Sequence, residues 1–108
     1  MILNPHKLSE NFIKKKLDLI KDGSLSLTNY NGFNQTYGKI NSDIKADIKV
    51  NNPKFYFNIL KGGSTGLAES YVKDEFSTSD LTSLIELTAK NINLTHRFSG
   101  ILQIKLLK

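Results

Sequence analysis

Residues 46–87 read ADIKVNNPKFYFNILKGGSTGLAESYVKDEFSTSDLTSLIEL and carry the end of a strand followed by three helix signals. The strand begins just upstream. Ile44-Lys45-Ala46-Asp47-Ile48-Lys49-Val50 alternates apolar and charged residues, so one face can be buried while the other stays in water. Asn52 then offers an N-cap side chain and Pro53 a fixed φ at a first helical position. Phe55/Ile59 and Tyr56/Leu60 recur four apart, which predicts a short amphipathic helix. Gly62-Gly63 are expected to stop it, Ser64 and Thr65 to cap a further turn, and Gly66 to Val72 to continue as a second piece. A third helix is expected to open at Ser77, because Ser77 and Asp80 have capping-box spacing ahead of Leu81, Leu84, Ile85 and Thr88.

Working outward, Leu8, Phe12, Ile13, Leu17 and Ile20 gather on one helical face, predicting a helix from Leu8 to Asp22 that Gly23 ends. Leu25 and Leu27 alternate with Ser24, Ser26 and Thr28, and Asn31-Gly32 is a hairpin signal before a second strand around Phe33 to Ile40. The chain thus reads as one α+β domain over residues 1–108. The arrangement expected is a three-stranded antiparallel meander with an N-terminal helix and several C-terminal helices packed on it. The final segment, Thr95 to Lys108, places Phe98, Ile101, Leu102 and Leu106 on one helical face without a stop signal. That leaves apolar surface for a further domain or another chain to cover.

Composition narrows the function classes. The apolar fraction of 39% over 108 residues suffices for one small core. Absence of cysteine excludes disulfides, thiolate metal sites and a cysteine nucleophile, and agrees with a reducing cytoplasm. The opening Met-Ile-Leu-Asn-Pro-His-Lys has no basic segment followed by an apolar run, and no apolar stretch is long enough to cross a bilayer. The expectation is a cytoplasmic chain, peripheral on the inner membrane face if it meets lipid. The net charge of +5 rests on fourteen lysines and one arginine, Arg97. Such a balance permits attraction to phosphates or anionic lipid, but solvated surface is the simpler reading of the lysines. So little arginine argues against base-specific nucleic-acid readout, where bidentate arginine is the commonest device.

The central block resembles the N-terminal, non-catalytic domain of the cyclopropane-fatty-acyl-phospholipid synthases, S-adenosylmethionine-dependent methyltransferases acting on unsaturated phospholipid acyl chains. The positions that carry the resemblance are Asn52-Pro53, Phe55-Tyr56, Gly63, Gly66-Leu67-Ala68-Glu69-Ser70-Tyr71, Phe76 and Asp80-Leu81. Weaker similarity extends to Gly23-Ser24-Leu25 and to Thr95-His96-Arg97-Phe98. There are departures. Where the family usually has Met-Asp-Gly after its tyrosine, this chain has Val72-Lys73-Asp74, and Glu75 follows. Aspartate tolerates the left-handed backbone that such a glycine adopts, so this change is easily borne. The family's catalytic half, with its cofactor-binding turn and active-site cysteine, is absent from the sequence.

The resemblance implies a domain that helps present phospholipid to a methyltransferase domain in cis or in trans, with a homodimer as a further assembly. The chain itself is then expected to catalyse nothing and to bind neither S-adenosylmethionine nor a metal. Family-motif or docking candidates are Asn52, Pro53, Phe55, Gly63, Gly66, Leu67, Glu69, Tyr71, Phe76, Asp80 and Leu81. Glu69 and Tyr71 lead them, because a carboxylate two positions before a tyrosine beyond a glycine-rich turn can point into a cleft. A local ion pair for Glu69 and a core-edge place for Tyr71 is the simpler reading.

The other candidates also have plainer explanations. Gly62 to Gly66 has exposed amides for a phosphate but lacks a P-loop lysine, and a turn between helices accounts for it. Phe55, Tyr56 and Phe57 can grip an acyl chain or simply fill a core. Asp80 fits a helix start, and His6 and His96 have no ligand-spaced partners. Lys14, Lys15 and Lys16 are membrane-contact candidates. Two alternatives stand beside the resemblance. One is a standalone lipid or small-hydrophobe carrier, which requires an enclosed apolar cavity on the order of 300 Å3 or more. The other is a basic nucleic-acid-binding module, which requires lysines clustered on one face.

Overall fold

The computed structural model describes residues 5–39 and 41–91. Its elements are α1 (Pro5–Leu17), β1 (Ser24–Thr28), β2 (Asn34–Gly38), β3 (Lys45–Val50), α2 (Lys54–Val72), β4 (Phe76–Ser77) and α3 (Leu81–Lys90). The class is α+β, as the residue pattern predicts. The expected helix over Thr95 to Lys108 and the motif residues Thr95 to Phe98 lie outside the described residues.

The sheet corrects the expected antiparallel meander. It has four strands in the order β2-β1-β3-β4, and β3 lies parallel to β1. β1 and β2 form the expected hairpin, with Leu25 opposite Tyr37 and Leu27 opposite Gln35. The chain then passes the start of β1 and enters on its other side, putting Leu25 beside Ala46 and Leu27 beside Ile48. The physical reason is apolar content. In β2 only Tyr37 is buried, whereas Ala46, Ile48 and Val50 of β3 all are. Seating β3 against Leu25 and Leu27 joins the two apolar faces and leaves polar β2 at an edge, where exposed strands belong. β2 and its connections supply the length that a parallel pairing needs.

Charged residues of β3 point away from the helices, as the alternation requires. Asp47 anchors the approach to α3 by accepting hydrogen bonds from the Ser79 backbone N–H (3.2 Å) and hydroxyl. The helices bury the other face: Ile13 of α1, Phe55 and Tyr56 of α2, and Leu84 and Leu87 of α3 join Leu25, Leu27, Ile48 and Val50 in one core. α1 ends at Leu17, short of Asp22. Tight bonds from Leu19 N–H to Lys16 O and from Ile20 N–H to Leu17 O follow, and Ile20 packs on the core.

α2 begins after Asn52-Pro53, with the Asn52 Oδ1 accepting the Lys54 N–H at 3.0 Å. Its two pieces are divided at Gly63, whose φ of 56° and ψ of −127° suit glycine alone. The expected stop at Gly62-Gly63 is thus a kink, and helix resumes directly beyond it. The expected start of the next helix at Ser77 is also corrected. Ser77 belongs to β4, paired with Lys49, and Asp80 caps α3 by accepting the Ser83 N–H at 3.1 Å. A strand partner for Ser77 competes with its use as a cap.

Candidate functional site

The kink at Gly63 turns the second half of α2 back over its first half. Phe55, Tyr56, Gly63, Gly66 and Ser70 are the buried residues of the helix, and Leu67 is half-buried. Glu69 and Tyr71 are not among them. Glu69 is exposed, and Tyr71 is 41% exposed with its ring tilted against Phe76 at 5.6 Å between centroids. The two leading candidates therefore do not converge on a cleft.

Their neighbours are buried instead. Ser70 donates its hydroxyl to Glu75 Oε1 at 2.7 Å, and the Asn58 amide donates to the same oxygen at 2.6 Å. The Glu75 carbonyl accepts the backbone N–H groups of Asn51 and Asn52, tying the far end of α2 to its beginning. Between Ser70 and Glu75 the chain reverses at Asp74, whose φ is 58°. Phe76 then packs edge-on to Phe55 at 5.1 Å. Gly66 and Ser70, four apart in the second piece of α2, share this inward face, while Glu69 and Tyr71 lie to either side of it and are exposed.

A second buried polar group went unread in the sequence. Glu10 of α1 is 1% exposed. Its Oε2 accepts from Lys14 Nζ at 2.8 Å and from the Asn29 amide at 3.0 Å, with Lys7 Nζ at 3.4 Å. Asn29 Oδ1 in turn accepts the Tyr56 hydroxyl at 2.8 Å. Burial pushes the Glu10 carboxyl upward, but the hydrogen bond and charge of Lys14, helped by Lys7, hold it below its ordinary range. Burial and then the Glu10 charge push the Tyr56 hydroxyl above its ordinary range. Lys14 is thus occupied as a counter-ion, leaving Lys15 exposed and Lys16 over the Phe12 ring at 5.5 Å.

Among the described residues no group of three or more His, Asp or Glu side chains is placed to hold a metal, and no helix is long and apolar enough to cross a membrane. Asp80 serves its helix: bonds from the Ser83 side chain and then its N–H lower its carboxyl. Leu81 beside it is exposed.

The concave feature is apolar. A pocket of about 90 Å3 lies between the three helices and the sheet. α1 contributes Ile13 and Leu17 to its wall, α2 contributes Phe55, Ile59, Gly63 and Leu67, and α3 contributes Leu84 and Leu87. Leu25, Leu27 and Ile48 form its floor, while Ser64, Thr88 and Asn91 are its polar members. Three motif candidates, Phe55, Gly63 and Leu67, are therefore pocket wall. The geometry suits a short run of methylenes, and its volume is well below the ~300 Å3 that an enclosing carrier requires. No protein-family model, no curated protein and no solved structure matches the chain.

Proposed function

We propose that this chain is a non-catalytic lipid-presenting and assembly domain of a cyclopropane-fatty-acyl-phospholipid synthase-like methyltransferase. The observation that carries this reading is the apolar pocket, whose wall includes Phe55, Gly63 and Leu67 of the motif. The pocket holds part of an acyl chain by exclusion from water and leaves the remainder for a partner domain, in cis or in trans, that binds S-adenosylmethionine and performs the transfer. Phosphate and lipid reach the domain at a peripheral membrane surface. The outer side of α1 suits that contact: Leu8 and Phe12 are exposed one helical turn apart, with Lys15 exposed beyond them.

The buried polar residues of the motif act in this reading as scaffold. Gly63 and Gly66 fold α2 on itself, and Ser70, Asn58 and Glu75 hold the fold closed, so the pocket wall keeps its shape.

The test is binding of a fluorescent cis-unsaturated fatty acid to the purified chain. Saturable one-to-one binding that Leu67→Trp abolishes, in a variant whose thermal melt remains cooperative, supports the reading. Wild-type chain that takes up no fatty acid refutes it. Stoichiometric binding of S-adenosylmethionine by the chain alone overturns its non-catalytic part. Sedimentation with anionic vesicles that weakens as salt rises is the corresponding membrane result.

A further inference from the structure

The two edges of the sheet are built differently. β4, at one end of the order β2-β1-β3-β4, is two residues long, too short to template another strand. β2, at the other end, has five residues, Asn34-Gln35-Thr36-Tyr37-Gly38, of which all but Tyr37 are exposed. It carries no charged residue and no proline, the usual guards of a free edge, in a chain that is 23% charged.

The backbone of β2 is half used. The Asn29 N–H donates to the Phe33 carbonyl at 2.7 Å, and the Lys39 N–H donates to the Gly23 carbonyl at 2.9 Å. Alternation along an antiparallel ladder therefore turns the N–H and C=O groups of Gln35 and Tyr37 toward β1, and those of Asn34, Thr36 and Gly38 outward. No described residue bonds these outward groups. Gly38 has a φ of 85°, which takes it out of extended backbone, so the regular part of the free edge runs from Asn34 to Thr36. Gln35 is its midpoint, and Phe33 beside it is 61% exposed.

We propose that β2 pairs antiparallel with β2 of a second copy of this chain about a two-fold axis at Gln35, joining two four-stranded sheets into one. In that register Asn34 of each copy exchanges both main-chain bonds with Thr36 of the other, which satisfies the free groups of the regular edge. Phe33 faces Tyr37 of the other copy across a non-hydrogen-bonded pair, where side chains stand closest, and loses part of its exposure. Charge selects both the partner and the place. A chain of net charge +5 repels its own copy wherever lysines meet, and β2 is an edge on which none do. The pairing stands apart from the lipid-presenting reading, because β2 contributes no residue to the apolar pocket.

The experiment is sedimentation velocity over a concentration series, with disulfide trapping beside it. A contact confined to one strand edge falls below about 1,200 Å2, so the wild-type dimer is expected to be weak, with a Kd on the order of 100 μM. Residue 35 is exposed, and Gln35→Lys or Gln35→Glu sets like charges directly opposite each other across the axis. Each variant is expected to weaken the dimer about fivefold with its thermal melt unchanged. An equimolar mixture of the two is expected to recover it, since Lys then meets Glu. Thr36→Pro removes an outward N–H and is expected to leave only monomer. The absence of cysteine from the chain lets trapping read the register. Two copies of residue 35 lie about 4.5 Å apart at Cα, and two copies of residue 36 about 8 Å apart. Only the first separation is within the ~7 Å that a disulfide spans. Gln35→Cys is therefore expected to oxidise to a linked dimer and Thr36→Cys to stay monomeric; the reverse overturns the axis at Gln35. A wild-type chain that is monomeric at about 1 mM overturns the proposal, as does a dimer that Gln35→Lys and Thr36→Pro both leave intact.

Discussion

Gly66 packs so closely on the backbone carbonyl of Asn58, in the first half of the same kinked helix, that a Cβ at position 66 would overlap the Asn58 oxygen. The contact exists because Gly63 bends α2, bringing its second piece against its first.

Gly66→Ala is therefore expected to destabilise the fold by about 2 kcal/mol. Alanine improves helix propensity by about 1 kcal/mol, but overpacking costs about 1–3 kcal/mol, and a backbone carbonyl yields less readily than a side chain. Gly62→Ala is the contrast. Nothing lies within 4 Å of a Cβ there, so the helix-propensity gain, up to about 1 kcal/mol, should appear undiminished. Urea unfolding followed by circular dichroism, with the slope unchanged, distinguishes the two.

Asp74 occupies φ 58° in the reversal that brings Glu75 under Ser70. Glycine carries no steric penalty in that region, so Asp74→Gly is expected to raise stability by about 0.5–1 kcal/mol, net of its greater unfolded-state entropy. A lower urea midpoint for this variant would show that aspartate holds the turn by some interaction beyond backbone geometry.

Two buried tyrosines should respond oppositely to loss of their hydroxyls. Tyr56 donates to Asn29 Oδ1 at 2.8 Å, and Tyr56→Phe removes one of the bonds that orient Asn29 toward Glu10, at a cost of about 1–2 kcal/mol. The Tyr37 hydroxyl, in a side chain 4% exposed, has no hydrogen-bond partner among the described residues. Tyr37→Phe is accordingly expected to be neutral or stabilising by about 1 kcal/mol. Thermal melts of the two variants side by side decide the matter.

Glu10 makes the fold sensitive to acid. Its folded carboxyl is held below the ordinary value of 4.5 by Lys14 and Lys7 despite burial. A depressed folded value means that its contribution is present in full above the unfolded value and is lost as pH falls through the folded one. Wild-type stability should thus decline below about pH 4.5, and Glu10→Gln should show a shallower decline from a lower neutral-pH starting point. Equal slopes for the two proteins between neutral pH and acid would remove Glu10 as the cause.

The periodic elements were legible in advance. Alternation from Ile44 to Val50 predicts which β3 residues are buried, and Asn31-Gly32 predicts the β1–β2 hairpin. The break at Gly62-Gly63 and the role of Asp74 in a left-handed turn follow from the backbone limits of those residue types. What failed depended on competition. Ser77 has the right spacing for a cap, but pairing with Lys49 takes it into β4 and leaves the cap to Asp80. Glu69 and Tyr71 stand out as residue types, yet helical phase turns them outward and brings Ser70 inward.

Sequence alone determined the α+β class, the buried face of β3 and the place where α2 bends, because these follow from local periodicity and local backbone sterics. Tertiary structure decided that β3 joins β1 in parallel, that Glu10 is buried against Asn29, and that the three helices and the sheet enclose an apolar pocket between them. The reason is that each of these joins residues distant in the chain. Their partners are chosen by which apolar faces fit together and which buried charges are neutralised, and no spacing along the chain records that choice.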